Sequence, residues 1–260
     1  MPFTVSHAAA VVPFRRWLRP AGALAAAVTG AMTPDFGLFI PLPLPREQTH
    51  GRLALLTFCL PVGLLAWWVF CVLVRPAAVE VLPDRWWQGL RQRPELTAVR
   101  TWCAAALAVL GGALTHLVWD GFTHEGARGV AMVPALEVDV VDAFGHPMHL
   151  YRVLQHASSV LGLALLAWIL WRWHRRLPPA PAGLRRRLGP LERAGWTGAA
   201  LLLPLLAMAE TAVRGLEGLG REHDLGDFVV FVVEAGMGGM VVALVLCSVL
   251  LRWRLSRGTG

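Results

Sequence analysis

The chain has 260 residues, of which 16% are charged, with a net charge of +7 and a mean hydropathy of +0.54. A soluble domain of this size carries about 25% charged residues, so an ordinary cytosolic fold is excluded, and the length leaves no room for a soluble enzyme domain beside a bundle of helices. Every basic residue is Arg. They collect in loops between apolar runs, as topology signals and lipid-headgroup contacts, and no basic folded face points to nucleic acid.

The N-terminal Arg15, Arg16 and Arg19 precede an Ala-rich run, in the manner of a signal peptide. The run continues through Asp35 to Pro45 without a clear stop, so cleavage is not expected. Residues Ala21–Leu44 form a first apolar segment, interrupted by Thr33-Pro34-Asp35. Proline disfavours helix at the residue before it, and an aspartate in lipid is expensive. The segment therefore reads as a broken helix whose break faces the bundle interior. Five further runs are long enough, or nearly so, to cross a bilayer: Leu53–Val74, Thr101–Trp119, Ala157–Trp171 (extended back to Leu154), Ala194–Val213 and Phe228–Leu251. The expected fold is all-α, a polytopic transmembrane bundle of about six spans, built as one domain over residues 1–260.

Loop charge sets the orientation. Arg75, Arg85, Arg91, Arg93 and Arg100 lie in one loop. Arg172, Arg175, Arg176, Arg185, Arg186, Arg187 and Arg193 lie in another, and Arg252, Arg254 and Arg257 in the tail. The intervening loops, 121–154 and 214–227, hold two Arg each. Basic loops stay cytoplasmic, so the C-terminus is expected inside. The same rule puts His7 on the inner side unless the N-terminus is re-entrant. Trp residues near several run ends fit an aromatic belt. Cys59, Cys71, Cys103 and Cys247 stand singly in apolar runs without a CxxC pair, which reads as packing rather than a thiolate zinc site or disulfides.

The same topology gathers ionisable residues toward the outer face: Asp35, His50, His116, Asp120, His124, His156, Glu210 and Glu234, with His174 opposite. Such groups inside a membrane bundle are functional candidates by default. The sharpest local pattern is His116-Leu-Val-Trp-Asp120-Gly-Phe-Thr-His124. His116 and Asp120 share a helical face and have the spacing that lets two side chains grip one metal ion. The same spacing serves an interhelical hydrogen-bonded pair. His124 would stand roughly 12 Å along the axis from His116 in a straight helix, so one ion cannot take all three. Either the helix ends near Gly121 and His124 folds back, or there are two ions, or His124 meets substrate. His and carboxylate donors without Cys suit zinc, with manganese or iron as alternatives. His146 and His149 read as solvated loop residues, and His223 as part of an acidic loop.

Taken together, several blocks resemble a bacterial membrane family known as domain of unknown function 4184. They are Met1-Pro2-Phe3-Thr4-Val5-Ser6-His7-Ala8-Ala9, Gly30-Ala-Met-Thr-Pro34-Asp35-Phe36, Thr49-His50-Gly51, the His116–His124 block, and Tyr151-Arg-Val-Leu-Gln155-His156-Ala-Ser158-Ser159. They cover the first 160 residues, and the last two helices carry no such block. That family is similar to inner-membrane metal-dependent hydrolases and, more distantly, to zinc-dependent phospholipase C-like proteins. The resemblance implies His7, Asp35, His50, His116 and Asp120 as metal ligands. It implies His124 and His156 as further ligands or catalytic groups, and the bacterial cytoplasmic membrane as the location. The function these features point to is a metal-dependent membrane hydrolase acting on an ester or phosphodiester, with a lipid-linked substrate. Two other functions fit the same residues: an ion- or proton-translocating protein, and a scaffold with a structural His/Asp network.

Overall fold

The computed structural model describes residues 3–18, 20–40, 44–51, 53–90, 92–143, 146–181, 186–216 and 225–257. His223 lies outside the described residues. Five helices are long and apolar enough to cross a membrane: α2 (Leu55–Val81), α3 (Val99–Thr123), α4 (Leu150–Arg176), α5 (Pro190–Leu216) and α6 (Leu225–Arg257). They follow a shorter apolar helix, α1 (Ala23–Met32), which ends in a 3-10 turn at Thr33–Asp35. The protein is thus an all-α, multi-pass membrane protein. In α4 and α5 only 6% of the most apolar window is buried in protein. Their Leu and Val side chains face outward, where lipid rather than water is the partner that suits them. A small hairpin, β1 (Asp139–Ala143) and β2 (His146–His149), interrupts the loop before α4. No periodicity in the sequence reading anticipated it.

The chain divides into two compact units. The first comprises residues 1–35, 44–67 and 93–176; the second comprises 36–43, 68–92 and 177–260. The first unit is organised by close backbone contact between α1 and α3. A Cβ added at Gly30 would lie 2.2 Å from the Val109 carbonyl oxygen, and one at Gly112 would lie 2.1 Å from that of Ala27. Small residues at a membrane helix interface permit such an approach. Ala27, Ala31, Ala105 and Ala108 on the same two helices are also buried, while Ala113 packs against Phe58 and Cys59 of α2. At the other end of α1, Gly22 adopts φ +88°, a conformation L side chains avoid. Its carbonyl accepts a hydrogen bond from Trp67 Nε1 at 3.0 Å.

The N-terminal segment Thr4–Arg16 is a 3-10 helix packed against both α1 and α4. Ser159 Oγ accepts the Phe3 amide at 2.9 Å, and a Cβ at Gly162 would sit 2.9 Å from Ser6 Cβ. The segment therefore folds back on the helices, and His7 is buried beside Asp120 rather than apart from the other candidates as the arginines that follow it implied.

α2 contains two π-helical stretches, Leu55–Cys59 and Phe70–Val74. Each ends two residues before a proline, Pro61 and Pro76. A proline ring clashes with the carbonyl one turn back and removes a donor, and a widened turn relieves both conflicts.

In the second unit α5 packs along α6. Gly239 allows it, since a Cβ there would lie 2.8 Å from Pro204 Cα. At the C-terminal end of α2, Arg193 donates to the carbonyls of Val81 (3.2 Å) and Leu82 (2.8 Å), and Arg186 to that of Val79. These are the carbonyls a helix leaves without partners at its end.

Candidate metal centre

Four pieces of the first unit meet at one place. The N-terminal segment brings Thr4 and His7. The 3-10 turn brings Asp35, because Pro34 ends the regular α1 there. A short helix, Arg46–His50, brings Arg46, Thr49 and His50. The last turns of α3 bring His116 and Asp120 on one face. Asp35 is 2% exposed, His116 0%, His7 4% and Asp120 5%, so the cluster is an interior one.

Single ligand atoms of Asp35, His50, His116 and Asp120 lie within 4.8 Å of one another. His50 Nε2 is 3.2 Å and His116 Nε2 3.5 Å from Asp35 Oδ1. The same two nitrogens are 3.7 and 3.5 Å from Asp120 Oδ2, and His7 Nε2 is 3.6 Å from Asp120 Oδ1. Despite these short distances, His7 Nε2, His50 Nε2, His116 Nε2, Asp35 Oδ1 and Asp120 Oδ1 are all buried without a hydrogen-bond partner.

The outer partners explain why. His116 Nδ1 lies 2.7 Å from the Ala31 carbonyl, which only accepts, so Nδ1 carries the proton. Thr49 Oγ1 donates to the Arg46 carbonyl at 3.2 Å and meets His50 Nδ1 at 2.7 Å, so His50 Nδ1 is again the donor. In their neutral form both imidazoles thereby turn an Nε2 lone pair toward the carboxylates. Thr4 Oγ1 donates to Asp35 Oδ2 at 2.7 Å, and Arg46 Nη2 to Asp120 Oδ2 at 3.1 Å, fixing one oxygen of each acid and leaving Oδ1 open. His7 stacks on His116 with ring centroids 3.7 Å apart and planes 16° apart. Two imidazolium rings would repel in that pose. Burial pushes His7 down to about 4, which keeps it neutral.

Several acceptors thus face one another across a buried space, and among the described residues one guanidinium, that of Arg46 on Asp120, accompanies the two carboxylates. Lone pairs from imidazole and carboxylate, each steered by an outer hydrogen bond, could hold a metal ion, with the outer bonds as its supporting shell. Imidazole and carboxylate donors suit a divalent ion. As a group, these residues form a His/Asp cluster able to hold a metal ion.

α3 runs through Thr123, two residues past Gly121, and His124 follows in extended conformation. Its ring turns back, with Nδ1 3.2 Å from the Asp120 carbonyl, which accepts its proton. Burial holds the imidazole below its ordinary value, and Nε2 is buried without a partner. His156 does not join the cluster. It is exposed on α4 and lines an open apolar groove with Val141, Met148, Val153 and Leu161. Its block instead supplies Ser159 to the Phe3 amide and Ser158 to Trp119 Nε1 (3.1 Å). Among the weaker candidates, Glu210 pairs with Arg214 at 2.6 Å and His149 with Asp139 at 2.7 Å, while Glu234 is half-buried in α6.

Thr4 and Thr49 stand in two of the quoted blocks without a role assigned from the sequence, and Arg46 stands in none. The signal available was their position: Thr4 and Thr49 lie three and one residues from predicted ligands, and Arg46 is four residues before His50.

No curated protein and no solved structure matches the chain. A family model described as Domain of unknown function (DUF4184) matches residues 1–249, extending the likeness through the last two helices, where no block had been recognised. The chain therefore belongs to that family.

Proposed function

We propose that the protein is a metal-dependent membrane hydrolase that cleaves an ester or phosphodiester bond, with a lipid-linked substrate. The observation that supports this reading is the convergence of unpaired ligand atoms from His7, Asp35, His50, His116 and Asp120 in one buried space. A scaffold network would pair such atoms with each other, because leaving them unpaired costs about 1–3 kcal/mol each. Asp35, His50, His116 and Asp120 would hold the ion, with His7 as a further ligand from the stacked ring. A divalent ion there supplies Lewis acidity, lowering the pKa of water to about 7 and polarising a carbonyl or phosphoryl oxygen.

The remaining chemistry belongs to the chain. Hydrolysis adds the OH of water to carbon or phosphorus, breaks the bond to the leaving oxygen, and gives that oxygen a proton. His124 suits the proton transfer, since its Nδ1–H is committed to the Asp120 carbonyl and its Nε2 is an open acceptor. Thr4, Thr49 and the Ala31 carbonyl orient the ligands.

The test is elemental mass spectrometry on protein purified in detergent, comparing wild type with His116→Ala and Asp120→Ala, each checked by size exclusion. Near-stoichiometric zinc, manganese or iron in wild type, lost in both variants, is the expected result. Chelation should then abolish cleavage of a chromogenic ester or phosphodiester. A well-folded wild type that takes up no metal even after incubation with divalent ions overturns the reading.

A further inference from the structure

Arg46 touches the cluster without belonging to its ligand set. Its guanidinium donates through Nη2 to Asp120 Oδ2 at 3.1 Å, its sole bond among the described residues. Its side chain is 44% exposed, against 7% for that of Asp120. A guanidinium has five N–H donors in a planar fork, so most of this fork is uncommitted and accessible. Arginines with structural duties here look different. Arg193 spends its donors on the Val81 and Leu82 carbonyls and on Asp84, with its side chain 19% exposed. A half-exposed cation is also a weak neutraliser for a buried carboxylate, so compensation of Asp120 alone does not account for its placement.

Charge gives a second argument. Asp35 and Asp120 carry two negative charges between them, and a divalent ion held by them brings the sum to zero. The neighbouring imidazoles have lone pairs turned inward, so while the ion carries neutral water, before the hydrolytic nucleophile forms, Arg46 leaves the loaded centre with one positive charge. A neutral carboxylic ester gains little from that charge as it binds, and offers the fork a single oxygen when its tetrahedral oxyanion forms. A phosphoryl group gains a great deal, because the guanidinium fork matches two of its oxygens at once. His124 flanks the same Asp120, its Nδ1 3.6 Å from Oδ1, so the proton-transfer group and the fork bracket one carboxylate.

We infer that Arg46 is the anion-binding residue of the centre and that its substrate is a phosphoryl compound, a phosphomonoester or phosphodiester, rather than a neutral ester. This rests on the metal-site reading above. A lipid headgroup and a free phosphate share the chemistry, so the experiment has two arms.

Full-length protein in detergent, loaded with metal, is titrated calorimetrically with inorganic phosphate in one arm and with short-chain phosphatidate in mixed micelles in the other. Wild type is compared with Arg46→Gln and Arg46→Lys, with metal content measured on the same samples. Arg46→Gln should weaken binding in either arm roughly tenfold or more at unchanged metal content, and Arg46→Lys should fall between. Tighter binding of the micellar ligand by wild type identifies a lipid source, and equal affinity a soluble one; both support the inference. Equal binding by wild type and Arg46→Gln, or no binding by metal-loaded wild type in either arm, overturns it and leaves the metal site standing. Loss of metal together with binding in Arg46→Gln also overturns it, making Arg46 a positioning residue for Asp120. Absence of metal from wild type overturns both readings.

Discussion

At the C-terminal end of α2, Arg193 places Nε, Nη1 and Nη2 on two backbone carbonyls and a carboxylate. Around Asp35 and Asp120, by contrast, the outward atoms are matched and the inward atoms are not: His116 and His50 each have a partner on Nδ1 and none on Nε2, and Asp35 has Thr4 on Oδ2 and none on Oδ1. The arginine centre satisfies groups the helix itself leaves open. The His/Asp centre spends its hydrogen bonds on aiming lone pairs at a common point. Polar residues alone therefore do not mark a functional site in a membrane chain. The discriminating feature is which atoms remain unpaired once the supporting bonds are made.

The largest effect that would sharpen this contrast concerns the supporting shell. Thr49→Val removes the acceptor that fixes His50 Nδ1, and Thr4→Val removes the donor to Asp35 Oδ2, with little change of volume in either case. Each should weaken metal affinity by roughly 10–100-fold in competition with a chelating dye, while the folded elution profile is kept. If both bind metal like wild type, the outer bonds are incidental and the contrast fails.

A smaller effect is expected at the other centre. Arg193→Ala frees the Val81 and Leu82 carbonyls and should lower stability by about 1–2 kcal/mol, read as a lower melting temperature in detergent. The Asp84 contact adds little, because Asp84 is half-exposed and the pair is screened. Metal content should be unchanged. A drop in metal content with intact fold would show that the arginine centre is not purely structural.

Much of the fold and part of the site were legible in the sequence. The long apolar runs became helices because a helix satisfies every backbone group within its own segment in lipid. His116 and Asp120 were visible as a pair one turn apart, and Asp35 through the proline that breaks α1. Other features had no local signature. The loop-charge rule treats Arg15 and Arg16 as an inner flank and cannot register that Thr4–Arg16 folds back between α1 and α4, which is what delivers His7 and Thr4. Arg46 and Thr49 matter through side chains that meet only after a short helix docks. The β1–β2 hairpin sits in a loop whose Gly and Pro hid its pairing.

The smallest expected effect concerns His156, where helical phase overrules a motif. Tyr151, Gln155, Ser159 and Gly162 fall four, four and three residues apart, the spacing of one helical face. Tyr151 is buried against Val130 and Leu136, Gln155 is buried, Ser159 holds the Phe3 amide and Gly162 lies under Ser6, so this face is turned into the protein and its later part carries the N-terminal segment. One residue along a helix turns the side chain by about 100°, which carries His156 off that face and into contact with an open apolar groove. His156→Ala should therefore leave metal content unchanged and shift stability by no more than about 0.5 kcal/mol, as surface substitutions do. Ser159→Ala, three residues on, removes the acceptor for the Phe3 amide and should loosen the segment that carries His7. Metal content lowered by His156→Ala and untouched by Ser159→Ala would invert this assignment and return His156 to the site.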